Sequence, residues 1–74
     1  MTKLGAYLKR KAVNKSQVSR RTGISKQRIS ELSINENTKL RADELYLIAL
    51  AIEVDACELL EHVCGDLQLK KEGK

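Results

Sequence analysis

The sequence predicts an all-α fold, one compact domain of five short helices. Three observations carry this expectation. Apolar residues recur at three- and four-residue spacing in successive short stretches. Polar cap residues and a glycine punctuate those stretches. No stretch shows the sustained alternation of a strand. At 74 residues the chain has room for one domain and a small core.

The first helix is expected over Lys3 to Ala12, with Leu4, Tyr7 and Leu8 on one face and Thr2 as N-cap. Lys9, Arg10 and Lys11 fall in its last turn, where cations suit the helix dipole. Asn14 opens a second helix, Lys15 to Thr22, which faces inward through Val18 and closes at Gly23. Ser25 caps a third helix from Lys26 to Leu32 or Ser33, with Ile29 and Leu32 turned inward. Ser33 to Leu40 carries Asn35, Asn37 and Thr38 and reads as a loop. A fourth helix runs from about Arg41 to Ile52. Leu45, Ile48, Ala49 and Ile52 form its stripe, and Tyr46, Leu47, Leu50 and Ala51 widen it. A helix apolar nearly all round is central to a core or also faces a partner. Asp55, with Glu58 three residues on, starts a fifth helix that runs to about Val63 before Gly65. Residues 1–65 are the expected domain. Residues 66–74 are an expected tail, flexible or interface-forming, in which Leu67 and Leu69 hint only faintly at a strand.

Charge divides the chain unevenly. The net charge is +4, from 14 Lys and Arg against 10 Asp and Glu. Residues 1–41 hold eleven of the bases and two acids; residues 42–74 hold three bases and eight acids. The first half is therefore +9 and the second −5. A half so basic is the footprint of a polyanion binder, although a solvated basic face gives the same sum. With no Trp, no Phe and only Tyr7 and Tyr46, an aromatic platform for single-stranded bases is excluded.

The spacing around Gly23 favours the polyanion. Two short helices meet across Thr22, Gly23, Ile24 and Ser25, the spacing of a helix-turn-helix. That turn brings the start of the third helix to the surface, poised for a DNA major groove. Lys26, Gln27 and Arg28 stand there, with Glu31 one turn on. Lys and Arg pair with guanine O6 and N7, and Gln with adenine N6 and N7. Surrounding bases would neutralise phosphates and set orientation.

The blocks Asn14–Ser30 and Leu45–Leu60 together resemble the phage repressor and Cro helix-turn-helix (XRE) family over about Leu4 to Val63. The resemblance implies a five-helix, lambda-repressor-like DNA-binding fold. It places Lys26, Gln27, Arg28 and Glu31 where family members read base edges. It places Lys15 where many members grip a phosphate, with Arg10 near it. Asn14, Ser25, Lys39 and Arg41 complete the expected phosphate contacts. Departures are visible. The family's frequent Arg in helix 1 and Glu ending helix 3 are replaced by Leu8 and Ser33. Its Leu-Ala pair is Val18-Ser19, and the Gly after helix 3 is absent, with Asn35 near its place.

The expected function is sequence-specific binding of double-stranded DNA by a transcriptional regulator, repressor-like and homodimeric. The second reading is a protein-interaction module, such as an antitoxin or coactivator-like adaptor. Structured RNA is a third ligand class. One His, no nucleophile motif and no Gly-rich phosphate loop argue against an enzyme. Cys57 and Cys64 lie seven apart with His62 between them, which is not a metal spacing, and a disulfide across two helical turns would be too long. Reduced thiols are expected, with no cofactor, metal or small-molecule substrate. The longest apolar run, Leu45 to Ile52, has eight residues, and bases interrupt the N-terminal stretch. A cytoplasmic chain without a membrane span is the expectation.

Overall fold

The computed structural model describes residues 1–70. Five helices follow in order: α1 (Lys3–Arg10), α2 (Lys15–Thr22), α3 (Lys26–Ile34), α4 (Ala42–Ala51) and α5 (Ala56–Cys64). The all-α, five-helix expectation holds, with boundaries shifted by one or two residues. There is no strand among the described residues; Leu67 and Leu69 are exposed coil. Residues 71–74 of the expected tail lie outside the described residues. No helix is long and apolar enough to cross a membrane among the described residues.

Each helix packs on two others: α1 on α3, α3 on α2, α2 on α4, α4 on α5 and α5 on α1. This ring closes around Leu4, Tyr7, Leu8, Val18, Ile29, Leu32, Leu45, Ile48 and Leu59, all buried. Burying each such side chain contributes about 1.5–3 kcal/mol. The helices α3 and α4 are not neighbours in the ring, which gives weight to any side chain that bridges them.

Two helix ends use one device. α1 and α4 both close with a left-handed residue that is not glycine, Ala12 at φ 55° and Glu53 at φ 61°. The Ala12 and Val13 amides donate to Lys9 and Leu8 carbonyls at 3.0 and 3.1 Å. The Glu53 and Val54 amides donate to Leu50 and Ala49 carbonyls at 3.2 and 3.0 Å. Both are Schellman closures, with Val13 and Val54 packed against the core just beyond. The turn at Ala12 is why α1 ends at Arg10, two residues before the sequence-based limit.

The start of α1 docks on the end of α3. The Thr2 amide donates to the Ser33 carbonyl at 3.0 Å, and the Thr2 hydroxyl to the Leu32 carbonyl at 2.7 Å. That hydroxyl also accepts from the Gly5 amide as the N-cap of α1. The approach is so close that a Cβ on Gly5 would strike the Ser33 carbonyl. Leu8 and Ser33 are both buried, and the Ser33 hydroxyl donates to Ile29 within α3 at 2.8 Å. An apolar and a small self-satisfied residue thus fill the place of the missing ion pair, with no charge left uncompensated.

Two substitutions separate these features by chemical denaturation. Gly5→Ala is expected to cost on the order of 3 kcal/mol, because backbone must move. Glu53→Gly is expected to stabilise by about 0.5 kcal/mol, since relief of the left-handed strain exceeds the added freedom of the unfolded chain.

Candidate nucleic-acid interface

The interface is built on the turn between α2 and α3. Gly23 sits at φ +80° with nothing within 4 Å of the place of a Cβ, so conformation rather than space asks for glycine. Its amide donates to the Ser19 carbonyl at 2.9 Å. Side chains lock the residues on either side. The Ser19 hydroxyl donates to the Ile24 carbonyl at 2.6 Å. The Thr22 hydroxyl donates to the Val18 carbonyl at 2.7 Å and accepts from the Ile24 amide at 3.1 Å. Ile24 packs on the core, and the Ser25 hydroxyl caps α3 by accepting from the Arg28 amide at 3.0 Å. Ser19, where an alanine is common in the resembling family, therefore gives this chain an extra tie across its turn.

Lys26 and Gln27 stand exposed on the first turn of α3. Glu31 is exposed one turn on, and shares a shallow surface with Gln27, Ser30, Ile34 and Asn35. The expected readers Lys26, Gln27 and Glu31 thus project freely from one helix.

Arg28 does not. Its guanidinium turns back from the helix start toward α4. Nε donates to Glu44 Oε2 at 2.9 Å and Nη2 to Glu44 Oε1 at 3.1 Å, a bidentate fork. Nη2 also donates to the Lys39 carbonyl at 3.0 Å. Glu44 is only 6% exposed, and its Oε1 accepts from the Arg41 amide at 3.0 Å, closing the start of α4. The Arg28 hydrogen bonds hold the Glu44 carboxyl below the ordinary 4.5, against the burial that pushes it up. Arg28, expected among the base readers, is thus engaged within the protein itself. A buried carboxylate within reach binds it and makes it the bridge between α3 and α4.

The expected phosphate contacts fall in four places. Ser25, Arg28 and Arg41 line one hollow of about 420 Å³ beside the turn, with Gly23, Glu44 and Leu47. Arg41 pairs there with Asp43 at 2.8 Å, an exposed contact of little strength. Lys39 is exposed on the loop, its carbonyl held by Arg28. Asn14 and Lys15 lie at the start of α2. The Asn14 side-chain oxygen accepts from the Ser16 and Gln17 amides at 2.9 and 3.2 Å, and Lys15 borders a hollow of about 300 Å³ with Lys9, Val13 and Ile34. Arg10 lies elsewhere. It sits 5.5 Å over the Tyr7 ring, which packs against His62 where α1 meets α5.

Two residues with defined roles carry no such signal in the sequence reading. Glu44 has a local signal only for its cap, as the third residue of a helix; its partner Arg28 is sixteen positions away. Arg21, near the end of α2, donates to the Ala51 carbonyl at 2.8 Å and ties α2 to the end of α4. Among the described residues no group of three His, Cys, Asp or Glu side chains is placed to hold a metal, and both cysteines are free thiols.

The Arg28–Glu44 pair has a pH signature. Because the folded carboxyl titrates below 4.5, its contribution to stability is full above about pH 4.5 and is lost as pH falls through the lower folded value. Glu44→Gln removes that contribution. The melting-temperature gap between Glu44→Gln and the unaltered chain is expected to stay constant from about pH 5 to 7 and to narrow below about pH 4.5. A gap that persists unchanged into acid contradicts the pairing.

Comparison with known proteins agrees with this geometry. No curated protein and no solved structure matches the chain. Residues 3–65 match the family described as the Cro/C1-type HTH DNA-binding domain, a span that takes in all five helices. The chain belongs to the Cro/C1-type helix-turn-helix family of DNA-binding domains.

Proposed function

We propose that the chain is a repressor-like transcriptional regulator that reads a specific duplex sequence with α3 in the major groove. The observation that carries this reading is the pair Lys26 and Gln27, exposed on the first turn of a helix that four side-chain hydrogen bonds around Gly23 hold in place. Lys26 suits guanine, Gln27 adenine, and Glu31 the amino group of cytosine. Arg28 acts through others: it positions the loop carrying Lys39 and the start of α4 carrying Arg41. Lys15, Lys39 and Arg41, the Asn14 amide and the Ser25 hydroxyl would meet phosphates. Arg10, stacked on Tyr7, has a weaker part in this scheme.

A homodimer suits such a reader, because two half-sites one helical turn apart are about 34–36 Å from centre to centre. Exposed apolar residues on α4 and α5 support it: Tyr46 is 56% and Leu50 55% exposed on α4, and Leu60 is exposed on α5. The same surface suits a different protein partner, and that reading would leave duplex binding weak.

Selection from random duplexes followed by salt titration tests the proposal. An enriched motif is expected. Lys26→Ala and Gln27→Ala should each relax specificity at their own base pair by about 1–3 kcal/mol. Lys15→Ala should weaken binding to every sequence alike and lower the salt slope by about 1. A selection without a motif, or binding insensitive to salt, contradicts the proposal and favours the protein-interaction reading.

A further inference from the structure

Where α1, the end of α3 and the start of α2 come together, the fold leaves an open hollow of about 300 Å³. Met1, Leu8, Val13 and Ile34 give it aliphatic walls, and Lys9 and Lys15 stand at its edge. Backbone contacts hold its floor. The Thr2 bonds to the Leu32 and Ser33 carbonyls fix α1 against α3, and the Val13 amide, donating to the Leu8 carbonyl, fixes the turn into α2. The Ser33 hydroxyl at the floor already donates to the Ile29 carbonyl, so the hollow offers little to a sugar or a nucleoside.

Charge and size define what fits. Neither Lys9 nor Lys15 is in an ion pair among the described residues, and no Asp or Glu lines the hollow. Lys15 is the first residue of α2, so the positive end of that helix dipole adds to the two ammonium groups. Met1 and Ile34 are 63% and 61% exposed, apolar surface that a ligand would cover. An aliphatic concavity with an unneutralised positive edge complements an apolar body that carries one negative charge. An apolar cavity of about 150 Å³ takes benzene, so about 300 Å³ suits roughly a dozen non-hydrogen atoms.

We propose that this hollow binds a small amphipathic monocarboxylate, its chain against Leu8, Val13 and Ile34 and its carboxylate between Lys9 and Lys15, and that the bound anion lowers affinity for duplex DNA. The ligand site stands on the hollow alone; the effect on DNA rests on the proposed phosphate contact of Lys15. One ammonium cannot serve a carboxylate and a DNA phosphate at full strength, and a negative charge held there repels the duplex.

The probe is octanoate, with 1-octanol as its uncharged match and acetate as its match in charge. Amide chemical shifts of the labelled chain are followed first without DNA. Octanoate should move Gly5, Lys9, Val13, Lys15 and Ile34 saturably, hexanoate should bind about four-fold more weakly for each methylene removed, and acetate should not bind. Lys9→Gln, at an exposed position, should weaken octanoate about two- to five-fold and leave 1-octanol unchanged. Shifts that do not saturate, or that centre on Tyr46 and Leu50, overturn the site, and 1-octanol binding as tightly as octanoate overturns the carboxylate. Affinity for the selected duplex is then measured with the hollow filled. Octanoate should lower it about two- to five-fold relative to equal acetate. Unchanged duplex affinity overturns the effect on DNA. A chain that binds octanoate here but selects no duplex motif overturns the proposed reading by α3 and leaves the ligand site standing.

Discussion

The Arg28–Glu44 fork is the contact on which the arrangement of α3, the following loop and α4 depends. The ring of helix packing leaves the backbones of α3 and α4 apart, and this pair spans the gap. Glu44 cannot be buried without a partner, because an isolated carboxylate in a nearly closed site is costly. Arg28 meets that need with two parallel hydrogen bonds. One of its donors, Nη2, also fixes the Lys39 carbonyl, and Glu44 holds the Arg41 amide. One charge pair thus sets the height of α3, the course of the following loop and the first turn of α4. In this chain it does the bridging that the absent pair between α1 and α3 would do elsewhere in the ring.

Against that frame, the turn at Gly23 decides which way α3 points. A left-handed glycine reverses the chain, and hydroxyls from Ser19, Thr22 and Ser25 satisfy the backbone groups around it. Few of these bonds are worth more than about 1 kcal/mol alone. Together they leave the amino end of α3 one course, with Lys26 and Gln27 facing solvent. Under the proposed reading, that rigidity serves discrimination, since a bidentate base contact tolerates little positional error.

Much of this was legible in the sequence. The five helices follow from short apolar periodicities and from the caps Thr2, Asn14, Ser25 and Asp55, each of which does cap its helix. The exposure of Lys26 and Gln27 follows from the turn spacing. The rest depended on long-range geometry. Periodicity could not foresee that Ala12 and Glu53 would take left-handed conformations, which ordinarily favour glycine. Nor could it foresee that Arg28 would be claimed by Glu44, or that Arg21 would reach the Ala51 carbonyl. Long cations at a helix start read as free until their distant acceptors are placed in space.

The central claim is that α3 enters the groove by its amino end. Nuclear Overhauser contacts between the labelled protein and its selected duplex test that most directly. Contacts are expected from the Lys26 and Gln27 side chains to major-groove base protons, and none from Arg28, which should keep its contacts to Glu44. Contacts to the duplex arising chiefly from α5, or from Arg28 after release of Glu44, would contradict it.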